Sequence, residues 1–177
     1  MSRQHMGSPP PTRGSGFTLV ELMVTIAVLA IIASIAIPSM RSLIASNRLA
    51  AMSTEVVASL QLARSEAIRR NAPVTVCSSS DGASCQASTD WSRWIVIGHD
   101  NVAAADDVVR DTSVSGGMQV SGPAAGIRFK PTGLLDAQEA VTVCLPVASP
   151  EDNQRVVNLM IGGGVVTSKN NGAGACP

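Results

Sequence analysis

Aromatic side chains are scarce in this sequence. Among 177 residues there are two Trp, two Phe and no Tyr. Phe17 opens a long apolar run, which leaves Trp91, Trp94 and Phe129 for the rest of the chain. A core there must be built mainly from Val, Ile, Leu, Met and Ala. Histidine is as rare, and His99 is the only one beyond the first residues. The cysteines show no C-x-x-C spacing, which with a single histidine argues against a zinc site. Net charge is zero, but beyond residue 70 six basic side chains face ten acidic ones. A net-acidic body is a poor match for nucleic acid as a bulk partner. Catalytic groupings are equally thin. His99-Asp100 is half of a triad, yet no Ser stands in a G-x-S-x-G elbow. Asp106-Asp107 and Glu151-Asp152 read as loop charges rather than an acid/base pair. "GGGVV" at 162–166 lacks the Lys and the helix pattern of a phosphate loop. Trp91 and Trp94 read as packing against a sheet rather than as platforms for stacked bases. The chain is not read as an enzyme, and no cofactor or metal is implied.

What the sequence does have is one long hydrophobic stretch, "FTLVELMVTIAVLAIIASIAI" at 17–37. At about 1.5 Å per residue it reaches roughly 31 Å, close to a hydrocarbon thickness of about 30 Å. The preceding residues carry Arg3 and Arg13 and no acidic group. The positive-inside rule keeps that flank in the cytoplasm and sends residues 39–177 across the membrane. One charge interrupts the run. Glu21 in lipid costs roughly 2.5–3.5 kcal/mol even on an insertion scale. A secretory signal has a shorter apolar region and a small-residue cleavage site, for which Ser34 and Ala36 offer only a weak candidate. A secreted hydrolase behind such a signal would yield a freely soluble product. A plain anchor needs no glutamate. Neither explains Glu21 or the Gly16-Phe17 junction.

The helical pattern continues past the apolar run. Pro38 lacks an amide hydrogen and marks a kink or a new start. Beyond it Leu49, Met52, Val56, Leu60, Ala63 and Ala67 recur at spacings of three and four, an amphipathic stripe. Asn71-Ala72-Pro73 ends it. The pattern predicts one helix from about Thr18 to Arg70, half in lipid and half packed on a globular head. Its outer half is basic, through Arg41, Arg48, Arg64, Arg69 and Arg70, and reads either as a solvated face or as a contact for anionic headgroups. In the head, "PVTVCSS", "WIVIGHD", "GMQVSG", "GIRFKP", "AVTVCLP" and "RVVNLMIGGGVVTS" have strand composition separated by turn residues. Six or seven strands after one helix give an α+β fold, with the helix across an antiparallel sheet. Residues 101–126 are small and polar and read as a loop or a weak hairpin.

Four cysteines, Cys77, Cys85, Cys144 and Cys176, all lie beyond the apolar run. An even count on the far side of the membrane suggests disulfides. Three pairings are possible. Cys77 with Cys85 and Cys144 with Cys176 are favoured, the first closing a short loop and the second tying the C-terminus to a strand. Cystines typically contribute about 2–4 kcal/mol each.

"GFTLVEL" at 16–22 resembles the prepilin signal of type IV pilins and type II secretion pseudopilins. "LARSEAIRRNAPVTV" at 62–76, "WIVIGHD" at 94–100 and "IRFKPTGLL" at 127–135 are similar to the GspH/FimT family of minor pseudopilins and minor pilins. The likeness fades over 100–126 and after 160. It implies cleavage by a prepilin peptidase between Gly16 and Phe17 and methylation of Phe17, with Glu21 as the fifth mature residue and Pro38 as the helix-kinking proline. It divides the chain into a cleaved leader, 1–16, a transmembrane helix, 17–37, its amphipathic continuation, 38–70, and a periplasmic β-rich head, 71–177. Arg64, Ser65 and Glu66 match the family's helix-end motif, expected to fix the helix end to the sheet through paired charges or hydrogen bonds. Glu21 is expected to pair with the Phe17 ammonium of a neighbouring subunit, so that two groups costly in lipid neutralise each other. The implied function is a minor pseudopilin of the type II secretion pseudopilus, at or near its tip. The alternative is a FimT-like minor type IV pilin acting in pilus assembly, adhesion or DNA uptake. Implied partners are other pseudopilins or pilins, the prepilin peptidase, the inner-membrane assembly platform and the membrane. Nucleic acid is not among them by the family's usual route: its C-terminal G-R-x-R segment is replaced by Gly164-Val165-Val166-Thr167, with only Lys169 nearby.

Overall fold

Helix α1 spans Leu19–Arg70 in the computed structural model, which describes residues 16–100 and 105–177. The expected leader lies outside the described residues except for Gly16, as do Arg3, Arg13 and the first four residues of the 101–126 segment. Two local devices set the helix ends. At the start, the Thr18 hydroxyl accepts the Glu21 amide at 3.2 Å and the Thr18 carbonyl accepts the Leu22 amide at 3.1 Å. Thr18 is thus an N-cap, with an acidic residue three positions on. At the end, Asn71 takes the left-handed conformation, φ 48°. The Ala72 amide then returns to the Ala67 carbonyl and the Asn71 amide to that of Ile68, both at 3.3 Å. This double closure satisfies carbonyls the helix would leave bare, and Pro73 prevents continuation. Pro38 lies within the assigned helix.

The chain divides into two compact units, one ending at Ser39 and the other running Met40–Pro177. In the first, the large apolar side chains from Phe17 to Ile37 are exposed. Its helical stretch is long and apolar enough to cross a membrane, with a mean hydropathy of 2.6 over the most apolar window.

Among the described residues the second unit contains two four-stranded sheets, antiparallel throughout. One holds β1 (Val74–Ser78), β2 (Arg93–Asp100), β3 (Ala105–Ser113) and β5 (Ile127–Phe129), in the order β3-β2-β1-β5. The other holds β4 (Gln119–Ser121), β6 (Glu139–Cys144), β7 (Gln154–Leu159) and β8 (Val165–Asn170), in the order β4-β6-β7-β8. Period-two alternation points Val74 and Val76, Ile127 and Phe129, Val141 and Val143, and Val157 and Leu159 inward. They meet Leu49, Val56, Leu60, Ala63 and Ala67, the stripe read from the sequence, in one core. The three aromatics of this unit are each 1 % exposed, so the few available are all spent inside. The Trp94 indole N–H donates to the Ser59 hydroxyl at 3.1 Å, a polar link between β2 and α1.

The architecture is α+β, a long helix on antiparallel strands. Three features differ from the sequence reading. The strands form two sheets rather than one. "RVVNLMIGGGVVTS" is a hairpin, β7 and β8, turning at Met160–Gly164, where Gly163 has φ 75°. Within 101–126, read as a loop or a weak hairpin, β3 is an ordered strand that runs nine residues beside β2, with a register shift at Val96/Ile97, while β4 falls on "GMQVSG", where a strand was read. β3 reads as a loop because it is an edge strand that buries little and so carries no alternating apolar signal.

Candidate functional site

The residues marked in the sequence fall into an N-terminal group and a group at the end of α1. In the first, Gly16 and Phe17 precede the helix in exposed backbone, and Phe17 is 75 % exposed. Among the described residues, a Cβ added at Gly16 would meet nothing within 4 Å. Glu21 sits in the first turn, where unpaired amides give the helix a positive end that favours a carboxylate by about 0.3–1 kcal/mol. Both large groups near the junction therefore face outward from the chain. The N-cap signature T-x-x-E at 18–21 was present in the sequence as a reason for a glutamate there.

At the other end of α1, Arg64 donates from Nη1 to the Gly163 carbonyl at 3.1 Å. Its guanidinium lies where a side chain at Gly163 would have to go, so glycine at that turn makes room for it. Arg64 thereby joins the helix to the β7–β8 turn. Ser65 is exposed and only returns its hydroxyl to the Leu62 carbonyl, 2.8 Å, within its own helix. Glu66 accepts Arg69 Nε at 3.0 Å and Arg70 Nε at 2.8 Å. Arg70 reaches on to Asp107 of β3, both guanidinium nitrogens meeting the carboxylate. A second tie, Arg110 to Glu55 at 2.5 Å, joins β3 to the middle of α1. Asp107 is therefore not the loose loop charge read from the sequence. Asp106 pairs with His99 Nδ1 at 2.9 Å in exposed surroundings. The long-range ties to Glu55, Arg70 and Asp107 were not found from sequence, because nothing local marks which edge strand lies beside the helix.

Cys77 is bonded to Cys85 and Cys144 to Cys176, leaving no free cysteine. The Asn153 side chain donates from Nδ2 to the carbonyls of Leu145 and Ala175, both at 3.1 Å, holding the C-terminal segment beside the second bridge.

The charge cluster predicts an acid response. The hydrogen bond from Arg69, then that from Arg70, holds the Glu66 carboxyl below the usual carboxylate range. Arg70 does the same for Asp107. Amides of Ala83 and Ser84 lower Asp81 further. A carboxyl depressed on folding contributes stability that is present above its unfolded pKa, about 4, and is lost as pH falls through the folded value. The thermal midpoint is therefore expected to be level from about pH 7 to 5 and to fall below about pH 4. Asp107→Asn should lower the plateau and soften the acid decline, as followed by circular dichroism.

The chain matches the family described as "Type II transport protein GspH" over residues 53–164. It matches the "Prokaryotic N-terminal methylation motif" over residues 12–37. No curated protein matches it significantly in sequence. Among solved structures it is similar to the type IV minor pilin FimU of Pseudomonas aeruginosa PAO1, with TM-score 0.54 and 19 % identity, covering 70 % of this chain and 90 % of that one. A second crystal form of FimU gives TM-score 0.51 at 19 % identity, covering 68 % and 92 %. The minor pseudopilin EpsH of the Vibrio cholerae type 2 secretion system gives TM-score 0.50 at 14 % identity, covering 69 % and 97 %. At such identities the likeness is one of fold.

Proposed function

Because the chain belongs to the GspH family of type II transport proteins, we propose that it is a minor pseudopilin, a structural subunit of the type II secretion pseudopilus at or near its tip. The observation that carries this reading is the joining of an N-terminal methylation motif to a GspH-type head in one chain. In this reading residues 1–16 are a leader removed by the prepilin peptidase. Residues 17–37 hold the subunit in the inner membrane, residues 38–70 continue the helix, and 71–177 form a periplasmic head. An assembly platform draws the subunit out, and its helix packs against those of other pseudopilins. Cleavage makes Phe17 a free ammonium. Glu21 of one subunit accepts it from a neighbour, a charge-assisted bond strong where water is absent. Arg64 and Glu66 act structurally, and the protein performs no catalysis.

The test is the mass of the mature N-terminus in a host with an active prepilin peptidase. Methylated Phe17 as first residue is expected. A start near Ile37 or Pro38 would defeat the reading. Gly16→Val should leave the full precursor. Among the described residues no neighbouring atom crowds a Cβ there, so that failure would belong to peptidase recognition rather than to folding.

A minor type IV pilin remains the second reading, favoured by the likeness in fold to FimU. Deleting the gene separates the two. Loss of protein secretion with intact pili fits the pseudopilus, and loss of pili with intact secretion fits the pilus.

A further inference from the structure

Arg155 of β7 is 5 % exposed, and its guanidinium has no carboxylate within 4 Å among the described residues. Every Asp and Glu of the sequence lies within those residues. The cation is held by neutral acceptors: Nη1 donates to the carbonyls of Asp152 at 2.8 Å and Gln154 at 2.9 Å, and Nη2 to the Ser46 hydroxyl at 3.2 Å. The β7–β8 register sets Lys169 directly opposite Arg155. Opposite residues of an antiparallel pair share a face with Cβ atoms about 4.5–5.5 Å apart, where like charges repel. A buried arginine thus faces an exposed lysine, and no salt bridge relieves either.

Both cations line the same groove. It measures about 400 Å³ and runs between α1, through Ser53, Thr54 and Val57, and β8, through Thr167, Ser168 and Lys169. β8 is the last strand of its sheet and is exposed along nearly its whole length. Such an edge offers unpaired amides and carbonyls to another strand. The groove therefore combines a free main-chain edge with uncompensated positive charge.

We propose that this groove receives an extended acidic segment of a neighbouring subunit, added as a strand to the free edge of β8 with its carboxylate on Arg155 and Lys169. Main-chain bonds along the edge supply affinity, and alternate side chains fall on the helix-facing side, where the two cations select Asp or Glu. The identification of the donor as a sister subunit rests on the functional reading above; the chemistry of the groove does not.

The test uses the full chain in detergent micelles and an acetylated peptide of about seven residues, long enough to span a typical strand, alternating Thr and Val around a central Glu. Binding of this peptide is expected, with about tenfold weaker binding when Glu becomes Gln, the scale of one charge-assisted hydrogen bond. N-methylation of alternate amides along the docking edge should abolish it. Arg155→Leu removes a buried group and risks misfolding, so the decisive variant is Lys169→Glu on the exposed strand. It places a carboxylate opposite Arg155 within the chain. It is expected to raise the thermal midpoint while weakening the Glu peptide at least tenfold. Equal binding of the Glu and Gln peptides overturns the proposal, as does indifference to N-methylation or to Lys169→Glu. Binding only to phosphatidylglycerol vesicles also overturns it. Because binding is read on the isolated chain, failure here leaves the N-terminal processing result standing as a separate test of the functional reading.

Discussion

A Glu21→Leu chain is expected to be cut at Gly16, methylated and held in the membrane, yet to be nearly absent from filaments. The substitution removes a carboxylate that costs roughly 2.5–3.5 kcal/mol in lipid, so anchoring should become easier. The helix itself loses little. Its first-turn charge contributes about 0.3–1 kcal/mol, and the Thr18 cap is made by the backbone amide of residue 21, which leucine keeps. What remains is the proposed contact with the Phe17 ammonium of a neighbour. Removing one member of a buried ion pair costs about 3–5 kcal/mol, or roughly two-hundredfold to five-thousandfold in association. Glu21→Gln, which keeps a hydrogen-bond acceptor but no charge, should fall between. The measurement is the ratio of variant to wild-type subunit in sheared filaments, at equal membrane levels of processed protein. Equal incorporation of the leucine variant would remove the ion pair from the assembly mechanism.

How far the sequence reveals this depends on whether the relevant signal is local. The apolar run and the stripe from Leu49 to Ala67 are periodic patterns within one element, and α1 follows them from one end to the other. The Val-rich segments that became β1, β6 and β7 alternate within a few residues, so their strand character and inward faces were readable. β3 was not, because its exposed residues leave composition as the only clue, and Ala-Asp-Asp-Val-Val-Arg-Asp looks like a loop. The split into two sheets was hidden for a related reason. Pairing of β5 with β1 and of β4 with β6 is decided by packing between distant segments. The same limit applies to the site. Gly16, Phe17 and Glu21 stand within six residues of one another and form a pattern. The ties of Arg70 to Asp107 and of Glu55 to Arg110, and the unrelieved pair Arg155 and Lys169, exist only once register has placed the strands.

Trp94→Ala should be among the most damaging single changes to the head, at about 3–5 kcal/mol. Trp94 is 1 % exposed in a core with only two other aromatic side chains. Such a core has few large groups able to shift into the space, so the cavity should persist rather than collapse. The polar part of the effect is separable. Ser59 also donates its hydroxyl to the Glu55 carbonyl at 3.0 Å, and therefore stays bonded when the indole is removed. Trp94→Phe should accordingly cost the hydrogen bond, about 1 kcal/mol, plus a modest packing loss. Ser59→Ala does the reverse and strands the indole N–H in the core, for about 1–3 kcal/mol. The double variant, having no orphaned donor, should cost less than the two single changes together. Urea unfolding followed by circular dichroism gives all four stabilities. If Trp94→Ala loses under about 1 kcal/mol, far below the usual range for a buried aromatic, or if the two smaller changes simply add, then β2 is not held to α1 through this residue. Loss of that joint also predicts a functional consequence. A head that loosens from residues 49–67 of the helix should fail to follow the helix into the filament, so Trp94→Ala should lower incorporation even where Glu21 is intact.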